Sequence, residues 1–427
     1  MGNLRGIPPV LVAPPLSLVT PAERVLEVVK SAAREAGGGP GDCWCLPLLA
    51  DDLASQWAVE QDLAREGMDR EALDPGELAE RAGRASAAAA GEIDAALRTT
   101  GRDVVVPPVS PAVVAAVAQP ARAAFVALYE AGLVERADTV AWRCPRCACS
   151  LGRDDLASVT SATTVPVLTV GVDGPGPDGA LPGGLALEVE HAAVELLGAV
   201  TAVGVPPGYT VAGAAVAGRD AHVPLLERPV PVVEDPEIGA PVLLTPGHDA
   251  AHHAVAGRLG LAAPVLEEEP APFAAREAAL ERLAAERLVA AQTTREEEAT
   301  VCAHCGTVAA ARLGPHWVVA EELGGPWSLE RELWRGVALP VGWCAECAKA
   351  TVGVVSADLG SCGICFGELR PEPAVIDPLF AAAAWVAEVV RGDGAVFVAG
   401  GPQWLAVAMA LALRVDAGPL SVLGAPA

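Results

Sequence analysis

WRCPRC at residues 142–147 sets the architecture of this chain, because it places two cysteines, Cys144 and Cys147, in a Cys-x-x-Cys knuckle. A second knuckle, Cys302 and Cys305, follows far downstream. Two such knuckles supply the four thiolates of a tetrahedral structural zinc site. The wide gap between them predicts that the intervening chain is an insertion whose two stems are clamped at its base.

A second and more compact set of cysteines has the same pair spacing: Cys344, Cys347, Cys362 and Cys365. The two sets account for eight of the eleven cysteines. Redox or catalytic thiols are the alternative interpretation, but the paired spacing favours structural zinc at both sites. We interpret the remaining three as ordinary buried cysteines: Cys43, Cys45 and Cys149.

The chain has 427 residues and a formal net charge of −25. That length predicts two or three domains with ample core. An acidic chain repels phosphate backbones, which disfavours tight non-specific binding of nucleic acid. Because Met1–Thr20 has no small-residue cleavage site and paired knuckles typify reduced, metal-bound thiols, we expect a cytoplasmic protein.

One uncharged run, Gly394–Leu413, is long enough to cross a bilayer. A glycine–glycine–proline sequence at residues 400–402 interrupts it. A buried strand over Ala395–Ala399, a turn and a buried helix over Pro402–Leu413 explain the run better. We therefore expect no membrane partner.

Hydrophobic periodicity predicts a first region of alternating strands and helices, with helices at Pro21–Glu35, Leu53–Glu66, Pro75–Arg98 and Pro111–Gly132. From Val159 to Ala299 the sequence consists of short valine-rich runs separated by glycine and proline. That pattern is typical of a small β-rich domain with several turns.

The order of these features resembles the valyl-tRNA synthetases, which belong to the class I aminoacyl-tRNA synthetases. The resemblance lies in the two knuckles of the first cysteine set and in three further stretches: Ala124–Val134 before the first knuckle, Thr163–Pro166 at the start of the β-rich region, and Thr245–Asp249 within it. It runs in the correct order over nearly the whole chain.

The resemblance implies an α/β fold: a split Rossmann-like nucleotide-binding domain with an inserted β-barrel editing-like domain and two zinc ribbons. Its expected divisions are 1–157 for the first catalytic half with the first knuckle, 158–300 for the editing-like insertion, 301–340 for the return with the second knuckle, 341–370 for the second ribbon, and 371–427 for the last catalytic part. It also implies ATP as a cofactor and tRNA or aminoacyl-tRNA as a partner.

The sequence departs from the family where ATP phosphates are held. The first family signature, His-x-Gly-His, falls on Val19, Thr20, Pro21 and Ala22. The Gly-Thr-Asp-His-Ala-Gly stretch falls on 48–53, which reads Leu-Leu-Ala-Asp-Asp-Leu. The second signature, Lys-Met-Ser-Lys-Ser, and the anticodon-binding domain are not present in the 427 residues. We therefore expect a truncated homologue that does not activate valine.

The editing-like positions are also altered. Thr163, Thr164 and Asp249 match the family, whereas His252 stands where the resemblance implies the carboxylate that binds the substrate's amino group. Family-type editing is expected to be weakened.

Two alternatives to a family-type role remain open. The chain can be a non-catalytic scaffold or regulatory paralogue that binds a protein partner or an amino-acid ligand. It can also be a metal-assisted ester hydrolase, because His248 and His252 have the spacing of two ligands on one helical turn. No third ligand is assigned, and His191 and His222 are unsupported candidates for it.

Overall fold

The structure, a computed structural model, describes residues 10–12, 16–35, 43–49, 52–100, 104–105, 112–152, 155–176, 179–266, 272–319, 327–333, 336–347, 349–352, 360–389, 396–399 and 420–423. None of the helices within these ranges is long and apolar enough to cross a membrane. Most of the uncharged run Gly394–Leu413, including its predicted helix, lies outside the described residues.

The helices in the described ranges are α1 Ala22–Glu35, α2 Leu53–Arg65, α3 Pro75–Arg98, α4 Ala112–Glu130, α5 Ala250–Leu259, α6 Pro272–Ala285 and α7 Pro378–Val389. The first twelve strands are β1 Val10–Val12, β2 Leu16–Ser17, β3 Cys43–Cys45, β4 Leu48–Leu49, β5 Val104–Val105, β6 Val134–Cys144, β7 Cys149–Leu151, β8 Leu156–Gly176, β9 Gly179–Glu190, β10 Ala202–Val205, β11 Thr210–Val211 and β12 Ala214–Ala215. The others are β13 Asp220–His222, β14 Val230–Glu234, β15 Val242–Leu244, β16 Val289–Cys302, β17 Ala310–Val319, β18 Trp327–Ser328, β19 Glu330–Arg331, β20 Val341–Cys344, β21 Lys349–Val352, β22 Leu369–Pro371, β23 Val375–Ile376, β24 Val396–Ala399 and β25 Leu420–Leu423.

The chain divides into two compact units. Unit 1 consists of Met1–Arg136 and His316–Ala427, and unit 2 is the intervening Ala137–Pro315. Unit 2 therefore includes both knuckles of the first cysteine set, which the sequence analysis had assigned to flanking parts of another domain. The expected boundaries at 158 and 300 remain predictions.

Unit 1 contains a five-stranded sheet in the order β25-β24-β1-β3-β5. Every pairing in it is parallel, with Val10 opposite both Val396 and Cys43. From β1 the chain builds outward through β3 to β5, and the later strands β24 and β25 add on the other side. The strand order therefore reverses next to β1, and open parallel sheets bind ligands outside the carboxyl ends of strands at such a point.

The segments that follow β1 and β3 lie together at this carboxyl edge. Strands β2 and β4 pair in parallel, with Leu16 opposite Leu48. The Leu18 N–H donates to the Leu49 carbonyl at 2.9 Å. Helices α1 and α2 begin immediately afterwards, so their first turns are both placed at the edge.

The main core of unit 1 is aromatic and alanine-rich. Helices α4 and α7 pack against each other and bury Phe125 and Phe380. Phe125 also meets Trp317 edge to face, with ring centroids 5.6 Å apart. Small alanine side chains on α7 allow the two helices to approach closely, so the alanine bias of the sequence has a packing role here.

Unit 2 is built around a sheet in the order β15-β10-β14-β13-β8-β16, with β9 pairing to β8. Alternation along β8 places Leu168, Val170 and Val172 in the core with no exposed surface. The valine-rich pattern thus gives the strands that it predicted.

The long ladder between β8 and β16 was not predicted. It runs without interruption from Ala291 opposite Val167 to Cys302 opposite Leu156. The acidic run Glu296–Glu298 lies within β16. Pairing with β8 outweighs the weak β-propensity of glutamate, because β8 and the second knuckle of the first cysteine set hold the ladder in place.

Candidate metal centres and binding sites

The first cysteine cluster is assembled by the ends of two long strands. Cys144 ends β6, which turns back into β7 with Cys144 opposite Cys149. Cys302 ends β16, and Cys305 lies in the following turn. The four sulfur atoms lie within 4.8 Å of one another, and those of Cys144 and Cys305 are 3.4 Å apart. Zinc–sulfur bonds of about 2.3 Å in a tetrahedron put sulfurs roughly 3.8 Å apart, so the cluster fits zinc.

The surrounding backbone holds this cluster in place. The Cys147 N–H donates to the Cys144 sulfur at 3.3 Å. The Ala303 N–H donates to the Asp155 carbonyl at 2.8 Å, and His304 Nε2 lies 3.0 Å from Asp155 Oδ1. Outer contacts of this kind orient metal ligands.

The second cluster repeats the arrangement in unit 1. The Cys344 and Cys365 sulfurs are 3.3 Å apart, and those of Cys347 and Cys362 are 4.0 Å apart. The residue after the second cysteine of a knuckle has a positive φ in both clusters, 71° at Gly306 and 61° at Phe366. A bulky residue is strained in that conformation.

The crowded thiols of the first cluster also favour a bound cation. Burial raises the pKa of Cys302 to about 11, and the neighbouring Cys147 thiol together with burial raises that of Cys144. Four adjacent thiolates therefore do not coexist at neutral pH without a compensating positive charge. A bound metal ion supplies that charge and displaces the protons.

The predicted phosphate-binding position lies at the carboxyl edge of the parallel sheet. Val19 and Thr20 follow β2, Pro21 precedes α1, and Ala22 is its first residue. Val19 is 40% exposed. The structure thus places these four residues beside the strand-order reversal, where they offer no imidazole and no cation.

Asp52 caps the neighbouring helix at the same edge. Its Oδ1 accepts from the Ser55 N–H at 3.0 Å and from the Ser17 hydroxyl at 3.0 Å. A helix N-terminus attracts anions through its free N–H groups and dipole. Here the protein's own carboxylate occupies that position at α2.

The editing-like residues are placed by separate elements of unit 2. Thr163 and Thr164 lie on β8 opposite Arg295 and Thr294. Arg276 of α6 donates to the Thr164 carbonyl at 3.0 Å. Pairing with β16 and, at Thr164, the Arg276 guanidinium thus hold the backbone of this pair.

The polar groups of the turn at 245–252 bond to one another and to neighbouring segments of unit 2. Asp249 is the N-cap of α5 and accepts from the His252 N–H at 2.9 Å. His248 Nε2 accepts from the Leu266 N–H at 3.0 Å, and its Nδ1 lies 3.0 Å from the Ala311 carbonyl oxygen. Because Nε2 accepts, Nδ1 carries the hydrogen and donates.

The two histidines expected to share a metal do not form a metal cluster. His252 Nδ1 accepts from the Thr245 N–H at 3.2 Å. Across the described ranges, only the two four-cysteine groups bring three or more metal-binding side chains together. Both ring nitrogens of His248 are bonded to backbone groups, so His248 has no free lone pair for a metal ion in this arrangement.

His191, named above only as an unsupported candidate for a third metal ligand, belongs to a buried polar group of unit 2. His191 is 6% exposed. Arg276 Nη1 lies 3.7 Å from Glu195 Oε2. Sequence periodicity gives no signal for them, because the contacts join segments far apart in the chain. Burial lowers the pKa of His191 to about 4 and also lowers that of His252.

The buried His191 predicts acid sensitivity of unit 2. The unfolded chain takes up a proton near pH 6.5 and the folded chain only near 4. The free energy of unfolding therefore keeps its full value above pH 6.5 and falls by about 3 kcal/mol as the pH drops to 4. Urea unfolding between pH 7 and 4 should show a smaller loss for His191→Gln than for the unmodified chain. Parallel curves would contradict the prediction.

No family model matches the chain. It is 26% identical over 386 residues to the valine–tRNA ligase of Geobacter sulfurreducens and 27% identical over 322 residues to that of Thermus thermophilus. These alignments cover 78% and 62% of this chain, and 42% and 36% of the ligases. A LeuRS structure from Agrobacterium radiobacter K84, in a ternary complex with tRNA and LeuAMS, aligns with 12% identity and a TM-score of 0.41, covering 98% of this chain and 64% of that one.

The sequence similarities make the chain a class I aminoacyl-tRNA-synthetase-like protein, as its motifs predicted. Within that class it is valyl-tRNA-synthetase-like. It spans less than half the length of the curated ligases that it matches.

Proposed function

We propose that this valyl-tRNA-synthetase-like chain does not activate valine with ATP and acts as a non-catalytic scaffold or regulatory paralogue. The observation that carries the proposal is the Asp52 carboxylate at the carboxyl edge of the parallel sheet. It takes hydrogen bonds from the Ser55 N–H and the Ser17 hydroxyl at the edge where an open parallel sheet binds its ligand.

Electrostatics oppose a triphosphate at this edge. Adenylate formation relies on preorganised donors and positive charge around the phosphates. Residues 19–22 supply neither imidazole nor cation. The first turn of α1 carries Glu23 and Arg24, and the Arg24 guanidinium is paired with Glu27 at 2.8 Å. Asp52 adds a second negative charge, so phosphate is repelled where it needs stabilisation.

The finer architecture belongs to the same proposal. Unit 1 is a split Rossmann-like domain, supported by its parallel strand order around β1. Unit 2 is an editing-like β-barrel inserted between the two segments of unit 1, supported by its position in the chain and its seven-stranded sheet. Each cysteine cluster holds one structural zinc ion, supported by the sulfur separations.

The experiment is valine-dependent ATP–pyrophosphate exchange with the zinc-loaded chain. A bacterial valine–tRNA ligase assayed in parallel is the positive control. We expect no exchange above the valine-free blank, because the phosphates find no stabilising charge. Saturable, valine-dependent exchange would overturn the proposal.

Two exposed apolar side chains favour a scaffold role in which the chain binds another protein. In the second cysteine cluster, Ile364 is 64% exposed and Phe366 is 79% exposed. By resemblance the partner is tRNA or aminoacyl-tRNA, but a net charge of −25 opposes tight contact with a phosphate backbone.

A further inference from the structure

The second cysteine cluster carries two large apolar side chains on its surface, Ile364 and Phe366. Both belong to the knuckle formed by Cys362 and Cys365. Among the described residues they are the two most exposed large apolar side chains, ahead of Val159 at 48%. Single apolar residues on a surface need no explanation, whereas neighbouring ones mark a contact surface. We call Ile364 and Phe366 the ribbon patch.

The first cysteine cluster contains an equivalent knuckle, which shows what this backbone needs. In both knuckles the N–H of the first cysteine donates to the carbonyl five positions on, of Thr307 at 2.8 Å and of Gly367 at 2.9 Å. The residue four positions on donates back to that cysteine's carbonyl at 2.9 Å in both. This residue is Gly306 with a φ of 71° in one knuckle and Phe366 with a φ of 61° in the other. Glycine is the residue that this conformation favours.

Phe366 therefore occupies its position at a cost to the free protein. Its side chain is strained by the positive φ, and its ring gains little packing because most of it is exposed. Ile364 shows the same contrast, because its counterpart His304 has Nε2 held 3.0 Å from Asp155 Oδ1. Strain that the fold itself does not require indicates a functional constraint. A surface placed against the ring would remove the exposure.

Two carboxylates lie beside the ribbon patch. A Cβ added at Gly367 would lie 3.5 Å from Glu346 Oε2, so this carboxylate is next to the knuckle turn. Glu346 and Glu368 are exposed, and neither is ion-paired among the described residues. The two cations of the ribbon lie in its strands, Lys349 in β21 and Arg370 in β22. The turns around the patch are therefore acidic.

Charge decides which kind of surface can cover the ribbon patch. In a symmetric dimer of this chain the same patch would meet itself, so that like carboxylates face each other and each copy carries −25. The same charges repel nucleic acid and anionic membranes. A protein segment with lysine or arginine beside apolar side chains complements both the apolar residues and the carboxylates.

We propose that the ribbon patch is the docking site for a basic protein segment. An apolar side chain of that segment packs on Ile364 and Phe366, and its lysine or arginine pairs with Glu346 and Glu368. The inference rests on the proposed scaffold role and gives the chemistry of its partner. Aromatic side chains commonly anchor interfaces of this kind. Phe366 thus serves binding, in a knuckle whose own backbone needs only glycine.

Fluorescence anisotropy with the zinc-loaded full chain measures this binding. The probe is a labelled peptide that combines basic and apolar residues, GKLFKRLFKG. One matched peptide replaces the basic residues with glutamate, GELFEELFEG, and the other replaces the apolar residues with serine, GKSSKRSSKG. We expect the first peptide to bind at least tenfold more tightly than either of the others, because each of those lacks one of the two contacts.

Phe366→Gly separates binding from folding. Glycine relieves the positive φ, so the variant should keep its zinc content and unfold at the same or a higher urea concentration than the unmodified chain. Its affinity for the basic apolar peptide should fall at least tenfold. Glu346→Gln combined with Glu368→Gln should also weaken this peptide at least tenfold.

Two variants in unit 2 are the matched controls for these changes. Val159→Ser removes an exposed apolar side chain, and Glu296→Gln removes an exposed carboxylate. Both should bind the basic apolar peptide as the unmodified chain does. Weaker binding in the controls equal to that in the patch variants would show non-specific attraction to an acidic chain and overturn the proposal.

Other outcomes also contradict the docking site. Equal affinity for the three peptides, unchanged binding in Phe366→Gly, or a lower urea midpoint in that variant would overturn it. Tight binding of poly(U) or of phosphatidylglycerol vesicles that is lost in Phe366→Gly would assign the patch to nucleic acid or membrane instead. ATP–pyrophosphate exchange separates the two proposals. Absent peptide binding with exchange at the blank removes only the docking site, whereas valine-dependent exchange removes the proposed function.

Discussion

Cys144→Ser should unfold unit 2 while leaving unit 1 folded. Zinc bound by four cysteines contributes an apparent 10–16 kcal/mol in small peptides, which is as large as the whole stability of a typical domain. The cluster joins the ends of β6 and β16, so its loss releases both stems of the unit. Metal analysis should fall from two zinc ions per chain to one, and limited proteolysis should cut within residues 137–315.

Two variants control this experiment. Cys149→Ala removes a buried cysteine next to the cluster that is not one of its four ligands, and it should keep both zinc ions and cost about 1 kcal/mol. Cys344→Ser should lose the other zinc ion and leave unit 2 resistant to protease. Retention of both ions in Cys144→Ser would show that the first cluster is not a zinc site.

Gly247→Ala should destabilise unit 2 by about 3 kcal/mol or more. A Cβ at this position would lie 2.0 Å from the Pro264 carbonyl oxygen and 2.8 Å from its carbon. Both atoms are backbone and have no rotamer to adopt, so the chain must move. That movement also breaks the bond from Leu266 N–H to His248 and the bond from Leu313 N–H to the Gly247 carbonyl.

The matched control is Gly257→Ala in α5, where a Cβ meets no atom within 4 Å. It should stabilise the chain by about 0.5–1 kcal/mol, because alanine is a better helix former than glycine. Denaturant unfolding monitored on unit 2 measures both variants. Equal stability of the two would mean that the turn at 245–249 tolerates the backbone shift.

Local signals in the sequence predicted much of the fold. Knuckle spacing alone predicted that Cys144 and Cys147 meet Cys302 and Cys305. The helix predicted at Pro75–Arg98 forms over those residues, and the Asp74 side chain accepts from the N–H groups of its first turn. In these cases a short-range chemical preference and the tertiary structure agree.

Long-range polar contacts were beyond such signals. The ladder of β8 with β16 has exposed polar residues on many positions, so alternation of apolar residues does not mark it. The pKa values of His191 and Glu195 are shifted mainly by burial, with a smaller contribution from Arg276 of a distant chain segment. Nothing in their local sequence distinguishes them from surface residues.

Whether this chain activates any amino acid is decided by ATP–pyrophosphate exchange measured with each proteinogenic amino acid in turn. The chain should be zinc-loaded and free of other synthetases. With Asp52 at the sheet edge and residues 19–22 lacking imidazoles and cations, we predict exchange at the blank level throughout. Exchange that depends on one amino acid and saturates with ATP would contradict the proposal that this edge has lost its phosphate chemistry.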